Sequence, residues 1–157
     1  MSLGPSDPNA VQVRPASAAD REWLFALHEG AHKTLVEDAY GPWVEPQQRG
    51  MFEQLLEDHD GFVVQWAGTP VGAYYLGVVE DDVWLELIEV LPDHQGKGVG
   101  SAGLARIRAY ADQQGRGVRL QVHKLNEAAR RLYEQEGFVL AGATATHHLM
   151  RWPSSLS

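Results

Sequence analysis

The stretch VLPDHQGKGVGSAGLARI, Val90 to Ile107, contains GVGSAG at residues 98–103, a literal match to the GxGxxG dinucleotide fingerprint. Glycines ahead of a helix let backbone N–H groups approach a phosphate closely, and the helix dipole favours the anion. A dinucleotide fold needs its first glycine at the very end of a strand and an acid about 20 residues further on for the ribose. Here the apolar run stops near Leu91, the polar segment PDHQGK intervenes before Gly98, and the next strand-like run ends in Gln121, Val122, His123 and Lys124. The Walker pattern fails as well, because Lys97 is followed by Gly98 rather than Ser or Thr and no glycine stands five positions before Gly96. What remains is a Q-x-x-G-x-G run, Gln95 to Gly100, whose N–H groups from Gly96 to Ser101 can converge on a pyrophosphate, with Lys97 adding charge. A glycine turn that merely caps a helix has the same local composition.

The flanking sequence supplies the context. VWLELIEVL, Val83 to Leu91, is rich in branched apolar residues and stopped by Pro92, which predicts a strand. After the glycine loop, Leu104, Ile107 and Ala111 keep helical spacing, VRLQVH (118–123) reads as a strand, and Asn126 can cap a helix that Gly137 closes. Upstream, VQVRPAS alternates as a strand, Ser17 and Asp20 form an S-x-x-D cap, and Leu24, Leu27, Ala31 and Leu35 share a helix face ending near Gly41 and Pro42. A second helix is expected over roughly Pro46 to Glu57, then two strands in a hairpin around Gly68, Thr69 and Pro70. FVLAGA and THHLMRW close the chain as strands. Strand, helix, strand from Val83 to His123 implies a parallel crossover inside an otherwise mixed sheet. The fold class is α/β with a mixed sheet in a single domain over residues 11–153, with loose tails at 1–10 and 154–157.

Composition narrows the function classes. The 157 residues are 44% apolar and 22% charged, an ordinary globular balance. The absence of cysteine excludes disulfides, thiolate zinc sites and a cysteine nucleophile. No apolar run is long enough for a bilayer and no secretory signal order is visible, so the chain reads as cytoplasmic, with no membrane partner. A net charge of −8 without a basic stripe argues against nucleic acid and would favour cationic ligands such as amines.

Two segments resemble the GNAT superfamily of acetyl-coenzyme A-dependent N-acyltransferases. LIEVLPDHQGKGVGSAGL, Leu87 to Leu104, is similar to the superfamily's strand, V-x-P turn, Q/R-x-x-G-x-G/A loop and helix. LQVHKLNEAARRLYEQEGF, Leu120 to Phe138, is similar to its later strand and N-x-x-A-x-x-x-Y-x-x-x-G-F helix, with Asn126, Ala129, Tyr133, Gly137 and Phe138 in register. The element order from Val11 to Trp152 also looks like the whole GNAT fold, in which two central parallel strands splay apart. The resemblance implies an N-acetyltransferase that moves an acetyl group from acetyl-CoA to a primary amine of a small molecule, peptide or protein by direct attack in a ternary complex, and it leaves room for a homodimer. It implies that the backbone of Ile88, Glu89 and Val90 pairs with the pantetheine arm, that Gln95, Gly96, Lys97, Gly98, Val99, Gly100 and Ser101 hold the pyrophosphate, and that Asn126 faces the pantetheine or caps its helix.

The chemistry needs a neutral amine, a stabilised oxyanion and a proton for the departing thiolate. A strand N–H near Val90 can serve the oxyanion, and the phenol of Tyr133 the thiolate, unless Tyr133 is only a core residue. The base is less defined. The superfamily's ribosomal-protein acetyltransferases place a glutamate where this chain has Gln121, which cannot act as one. Glu86 and Glu89 are the available carboxylates and, an odd number apart, are expected on opposite sheet faces, with Glu89 favoured as the nearer to the thioester. His123 and a relayed water are alternatives. For the acceptor, the region from Glu37 to Phe52, with Tyr40, Trp43 and Glu45, and the pair His147 and His148 are the candidates, though Trp43 and Phe52 also suit a core.

Two competing readings stand beside this one. His28-Glu29-Gly30-Ala31-His32 is a literal HExxH, and with Glu53 as third ligand it would make a small zinc protease, although a helix-weakening Gly30 interrupts it. The acetyltransferase reading expects no metal. A non-catalytic acyl-CoA sensor would keep the fold and drop the chemistry.

Overall fold

A computed structural model of the chain describes Gly4 and residues 10–154; most of the tail assigned to residues 1–10, and residues 155–157, lie outside the described part. Strand β1 (Val11–Pro15) leads through a short 3-10 turn (Ala18–Asp20) into α1 (Arg21–Tyr40) and α2 (Glu45–Asp58). Then come β2 (Asp60–Trp66), β3 (Thr69–Val79), β4 (Asp82–Val90), α3 (Val99–Gln113), β5 (Val118–His123), α4 (Glu127–Gln135), β6 (Val139–Ala143) and β7 (His147–Trp152). The seven strands form one sheet in the order β1-β2-β3-β4-β5-β7-β6, antiparallel everywhere except β4 against β5. Among the described residues no helix is long and apolar enough to cross a membrane.

The local signals explain these elements. Ser17 and Asp20 close a capping box, but it opens the 3-10 turn that feeds α1 rather than α1 itself, and Asp20 also binds Arg14 at 2.8 and 2.9 Å. Asn126 Oδ1 accepts the Ala129 N–H at 3.2 Å and starts α4 as a side-chain cap. The α3 stripe of Leu104, Ile107 and Ala111 is fully buried against Leu85, Leu120, Val122 and Met150 on one sheet face. Leu24, Phe25 and Leu27 of α1 and Phe52 of α2 pack on Val63, Ala73 and Tyr75 on the other. Helices on both faces are what a central parallel pair requires.

Two departures from regularity in β4 position everything that follows. Opposite β3, Tyr75 pairs with Leu87 and Leu76 with Leu85, so Glu86 is the extra residue of a β-bulge. The bulge resets the alternation. Glu86 and Glu89 therefore both turn to the α1/α2 face, Glu86 towards His59 at the end of α2 and Glu89 towards His28 and His32 of α1. The expectation of opposite faces assumed an unbroken period of two, which the inserted residue shifts by one.

The second departure is that β4 and β5 pair only at Val83↔Val118, Trp84↔Arg119 and Leu85↔Leu120. Beyond that, β4 continues to Val90 on β3 while β5 continues to His123 on β7. The closed end of this fork is clamped by Asp82, 4% exposed, which accepts from Arg119 at 2.6 Å, Arg151 at 2.8 Å and the Gly117 N–H at 3.1 Å. Hydrogen bonds from Arg151, against the opposing effect of burial, and then from Arg119 and Gly117 hold this carboxyl well below the usual carboxylate range. A depressed carboxylate contributes stability that is complete above its unfolded value of about 3.9 and fades as pH falls through the folded one. Asp82→Asn is thus expected to lower stability at pH 7 by roughly 1–3 kcal/mol. Thermal unfolding of the two proteins should show the gap narrowing below about pH 4.

Candidate active site

The fork opens into a cavity of about 230 Å³ that runs between the parted strands. Its walls come from both sides of the sheet: His32, Leu35 and Tyr40 of α1 from one, Ala129 and Tyr133 of α4 from the other. Glu86 to Ile88 of β4, Gln121 to His123 of β5, Asn126 and His147 complete it. Helices on opposite faces can meet in one space only where the sheet between them is open.

At the far end of β4 the chain turns through a 3-10 segment, Pro92–His94, into the glycine loop. The Gln95 side-chain amide donates to the Val90 carbonyl at 3.1 Å, tying the loop to the strand end. Gly96 (φ +77°) and Gly98 (φ +90°) adopt left-handed conformations, and Gly98 is the residue from which α3 springs at Val99. No side chain caps α3, so its first N–H groups stay turned towards the loop. Gln95, Gly96 and Lys97 are exposed, Gly98, Gly100 and Ser101 half-buried, and Val99 buried in the core. Val99 can therefore offer only its backbone.

Tyr133 is 8% exposed, and burial, then the negative charge of Glu89, pushes its phenol above the ordinary value. It both packs on Phe138 and lines the cavity, so the core and site readings hold together. Asn126 likewise caps α4 and lines the cavity.

Glu89 is placed otherwise than a base facing the acceptor would be. Its side chain has no solvent exposure and forms no part of the cavity wall. His28 Nδ1 lies 2.9 Å from Glu89 Oε2, and His32 Nδ1 lies 2.5 Å from the same oxygen, too obliquely for a well-formed hydrogen bond. Glu89 Oε1 is buried without a hydrogen-bond partner among the described residues. Burial alone would raise the Glu89 pKa; the His28 and His32 contacts outweigh it and hold the carboxylate below its ordinary value.

The HExxH motif thus meets Glu89, not Glu53, which lines a separate shallow depression with Phe25 and Arg49. The three converging atoms are of kinds that bind metal ions. Donors at about 2.0–2.1 Å around a tetrahedral ion stand roughly 3.3 Å apart. His28 Nδ1 and His32 Nδ1 lie 2.9 and 2.5 Å from one Glu89 oxygen, closer to it than two ligands of such an ion stand to each other.

Of the acceptor candidates, Tyr40 and His147 line the cavity, as does His123, the alternative base. Phe52 and Trp43 belong to the α1/α2 core, and Glu45 pairs with Arg49 outside it. His148, next to His147 on the strand, faces away and meets Arg130 of α4 at 3.2 Å. Glu86 accepts the Trp84 indole N–H at 2.6 Å. Burial, then His123, lowers the His147 pKa, against a smaller opposing effect of Glu86.

A family model described as the acetyltransferase (GNAT) family matches residues 26–138. No curated protein matches the sequence significantly. Among solved structures, the chain is similar to PaiA N-acetyltransferase from Thermoplasma acidophilum, crystallised with coenzyme A. The two are 18% identical with a TM-score of 0.77, over 91% of this chain and 98% of that one. It is also similar to the ribosomal-protein-S18-alanine N-acetyltransferase of Escherichia coli, at 24% identity and TM-score 0.73, over 94% and 96%. An acetyltransferase from Thermus thermophilus aligns at 20% identity and TM-score 0.76, over 92% and 97%.

The left-handed geometry of Gly98 generates a direct test. A valine there carries a backbone strain of about 1–2 kcal/mol and moves the first N–H groups of α3. Gly98→Val should lower the melting temperature by several degrees and weaken coenzyme A binding, followed by calorimetry, at least tenfold.

Proposed function

Because the chain belongs to the GNAT acetyltransferase family, we propose that it transfers the acetyl group of acetyl-CoA directly to a primary amine bound in the β4/β5 fork. The observation that carries this reading is the fork itself. From Glu86 to Val90, β4 has no strand partner on its β5 side among the described residues, and the fork ends at the glycine loop. An extended pantetheine arm can add to that edge as a short strand does, through Ile88 and Val90, while the N–H groups from Gly96 to Ser101 hold the pyrophosphate and Lys97 adds charge.

In this arrangement the thioester lies in the cavity between β4 and α4. A β4 N–H near Val90 that the arm leaves free polarises its carbonyl and stabilises the tetrahedral oxyanion. Tyr133 stays protonated throughout the physiological range because its pKa is raised. It acts as a hydrogen-bond donor to the thiolate as the C–S bond breaks, and its high pKa favours lending the proton over losing it. Asn126 orients the amide of the arm with whatever donor capacity its capping bond leaves free.

The acceptor enters from the α1 side. Glu86 supplies negative charge, Tyr40 and Leu35 an apolar wall, and His123 and His147 polar edges, which suits a protonated amine on an apolar body. The E. coli relative is named for the alanine of a ribosomal protein, and peptide N-termini therefore belong in any screen.

Calorimetry with acetyl-CoA, followed by thiol release with phenethylamine, spermidine and an alanyl-initiated hexapeptide, tests the proposal. Tyr133→Phe should keep acetyl-CoA affinity within about threefold and lower kcat by roughly 10- to 1,000-fold. Binding without thiol release on any amine would favour a sensor, and absence of binding would refute the reading.

A further inference from the structure

We propose that His32, held by Glu89, is the group that takes the proton from the attacking amine, and that Glu89 is a positioning residue which never touches the acceptor. The inference rests on the acetyl-transfer reading of the same cavity. It starts from a division of labour: Glu89 has no exposed side-chain surface, whereas His32 is 21% exposed and forms part of the cavity wall. His32 and Tyr133 stand on walls contributed by α1 and α4, so a proton acceptor and a proton donor flank one space.

His28 explains how the carboxylate is kept in place. Its Nδ1 meets Glu89 Oε2 at 2.9 Å while its ring stacks on Phe52, with centroids 4.8 Å apart, and on His32, 5.0 Å apart. This packing anchors Glu89 from one side and leaves His32 on the side that opens to the cavity. At 2.5 Å from Glu89 Oε2 an unprotonated His32 Nδ1 would bring its lone pair against those of the carboxylate, so the ring proton is assigned to Nδ1 although the contact is too oblique for a well-formed hydrogen bond. The neutral ring then has one basic atom, Nε2.

The other ionisable groups around the cavity serve this role less well. Glu86 has its carboxylate engaged by the Trp84 indole at 2.6 Å. His123 Nδ1 accepts the Leu125 N–H at 3.1 Å, which puts the proton of the neutral ring on Nε2 and makes that atom a donor. His147 has the Thr146 hydroxyl at 2.8 Å behind its Nδ1, not a carboxylate. Tyr40 lines the wall beside His123, and Tyr75 of β3 lies close enough to Glu89 to feel its charge, but both are phenols.

The step balances. An acceptor that arrives as an ammonium first gives one proton to solvent; the neutral amine nitrogen then forms the C–N bond to the acetyl carbon, and its surplus proton passes to His32 Nε2. The C–S bond then breaks, and the thiolate leaves hydrogen-bonded to Tyr133. Solvent returns the proton from His32 to the thiolate, giving amide and thiol.

The test uses the full chain and whichever of phenethylamine, spermidine or the alanyl hexapeptide it turns over fastest. His32→Gln should bind acetyl-CoA within threefold of wild type and lose about 100-fold or more in kcat, with a smaller change in KM for the amine. Glu89→Gln, which keeps the shape of the side chain and removes the carboxylate acceptor behind the ring, should lower kcat and move His32 towards the Nε2–H tautomer in imidazole ¹⁵N spectra, with acetyl-CoA affinity within threefold of wild type. Imidazole ¹⁵N spectra of the wild type should show His32 as the Nδ1–H tautomer at neutral pH. This measurement stands even if Glu89→Gln fails to fold or no amine is turned over. A His32→Gln enzyme with more than a third of the wild-type kcat, a Glu89→Gln enzyme with unchanged kcat and tautomer, or an Nε2–H tautomer in the wild type would each overturn the assignment. So would activity lost on dialysis against a chelator and restored by zinc. Any of these with intact acetyl-CoA binding and turnover defeats only the role of His32, whereas a wild type that does not bind acetyl-CoA defeats the functional reading beneath it.

Discussion

Two parallel strands that agree for three residues and then part company govern the rest of this molecule. Parallel pairing in the middle of a sheet is ordinarily continuous and buried on both faces. Here β4 leaves β5 after Leu85 and stays with β3, while β5 stays with β7. An unpaired strand edge inside a protein is costly unless something supplies its missing hydrogen bonds. The proposed function assigns that part to the arm of the acyl carrier, so that the gap and the ligand would explain each other. The Asp82 clamp with Arg119 and Arg151 holds the closed end, and the glycine loop stands at the open one.

The bulge at Glu86 has the second largest consequence. By inserting one residue it brings both β4 carboxylates to the α1/α2 face and gives each a different task. Glu86 remains at the cavity wall, where its charge can meet a cationic acceptor. Glu89 sinks beneath α1, where two imidazoles offset the cost of burying it. In the role proposed for His32 the buried acid orients the ring, and only the ring has to reach the reacting atom.

Much of this was legible in the amino-acid order because it is local. The glycines at 96 and 98, the cap at Asn126 and the spacing from Asn126 to Tyr133 lie within contiguous stretches whose geometry follows from backbone rules. The role of Glu89 was not legible in the same way. Period-two alternation places Glu86 and Glu89 on opposite faces, and nothing in the residues from Trp84 to Ile88 marks the extra one. The HExxH match was genuine as a geometric statement, since both histidines do share a face of α1, but their partner comes from a strand more than fifty residues away and not from α2. One signal was available: His28 falls among Leu24, Leu27 and Ala31 on the apolar face of α1, where a buried imidazole needs a polar partner, and Glu89 stands between the apolar residues Ile88 and Val90 of β4.

The dependence of the whole account on an added strand can be measured at single residues. Leu91 gives its N–H to Val71 on β3, so by alternation the N–H groups of Val90 and Ile88 point into the fork. Amide hydrogen exchange, followed residue by residue with and without coenzyme A, should show both slowing by at least tenfold on binding, together with amides from Gly96 to Ser101. Unchanged exchange at Ile88 and Val90, with coenzyme A bound and the loop amides slowed, would mean that the arm lies elsewhere and that the parted strands serve another purpose.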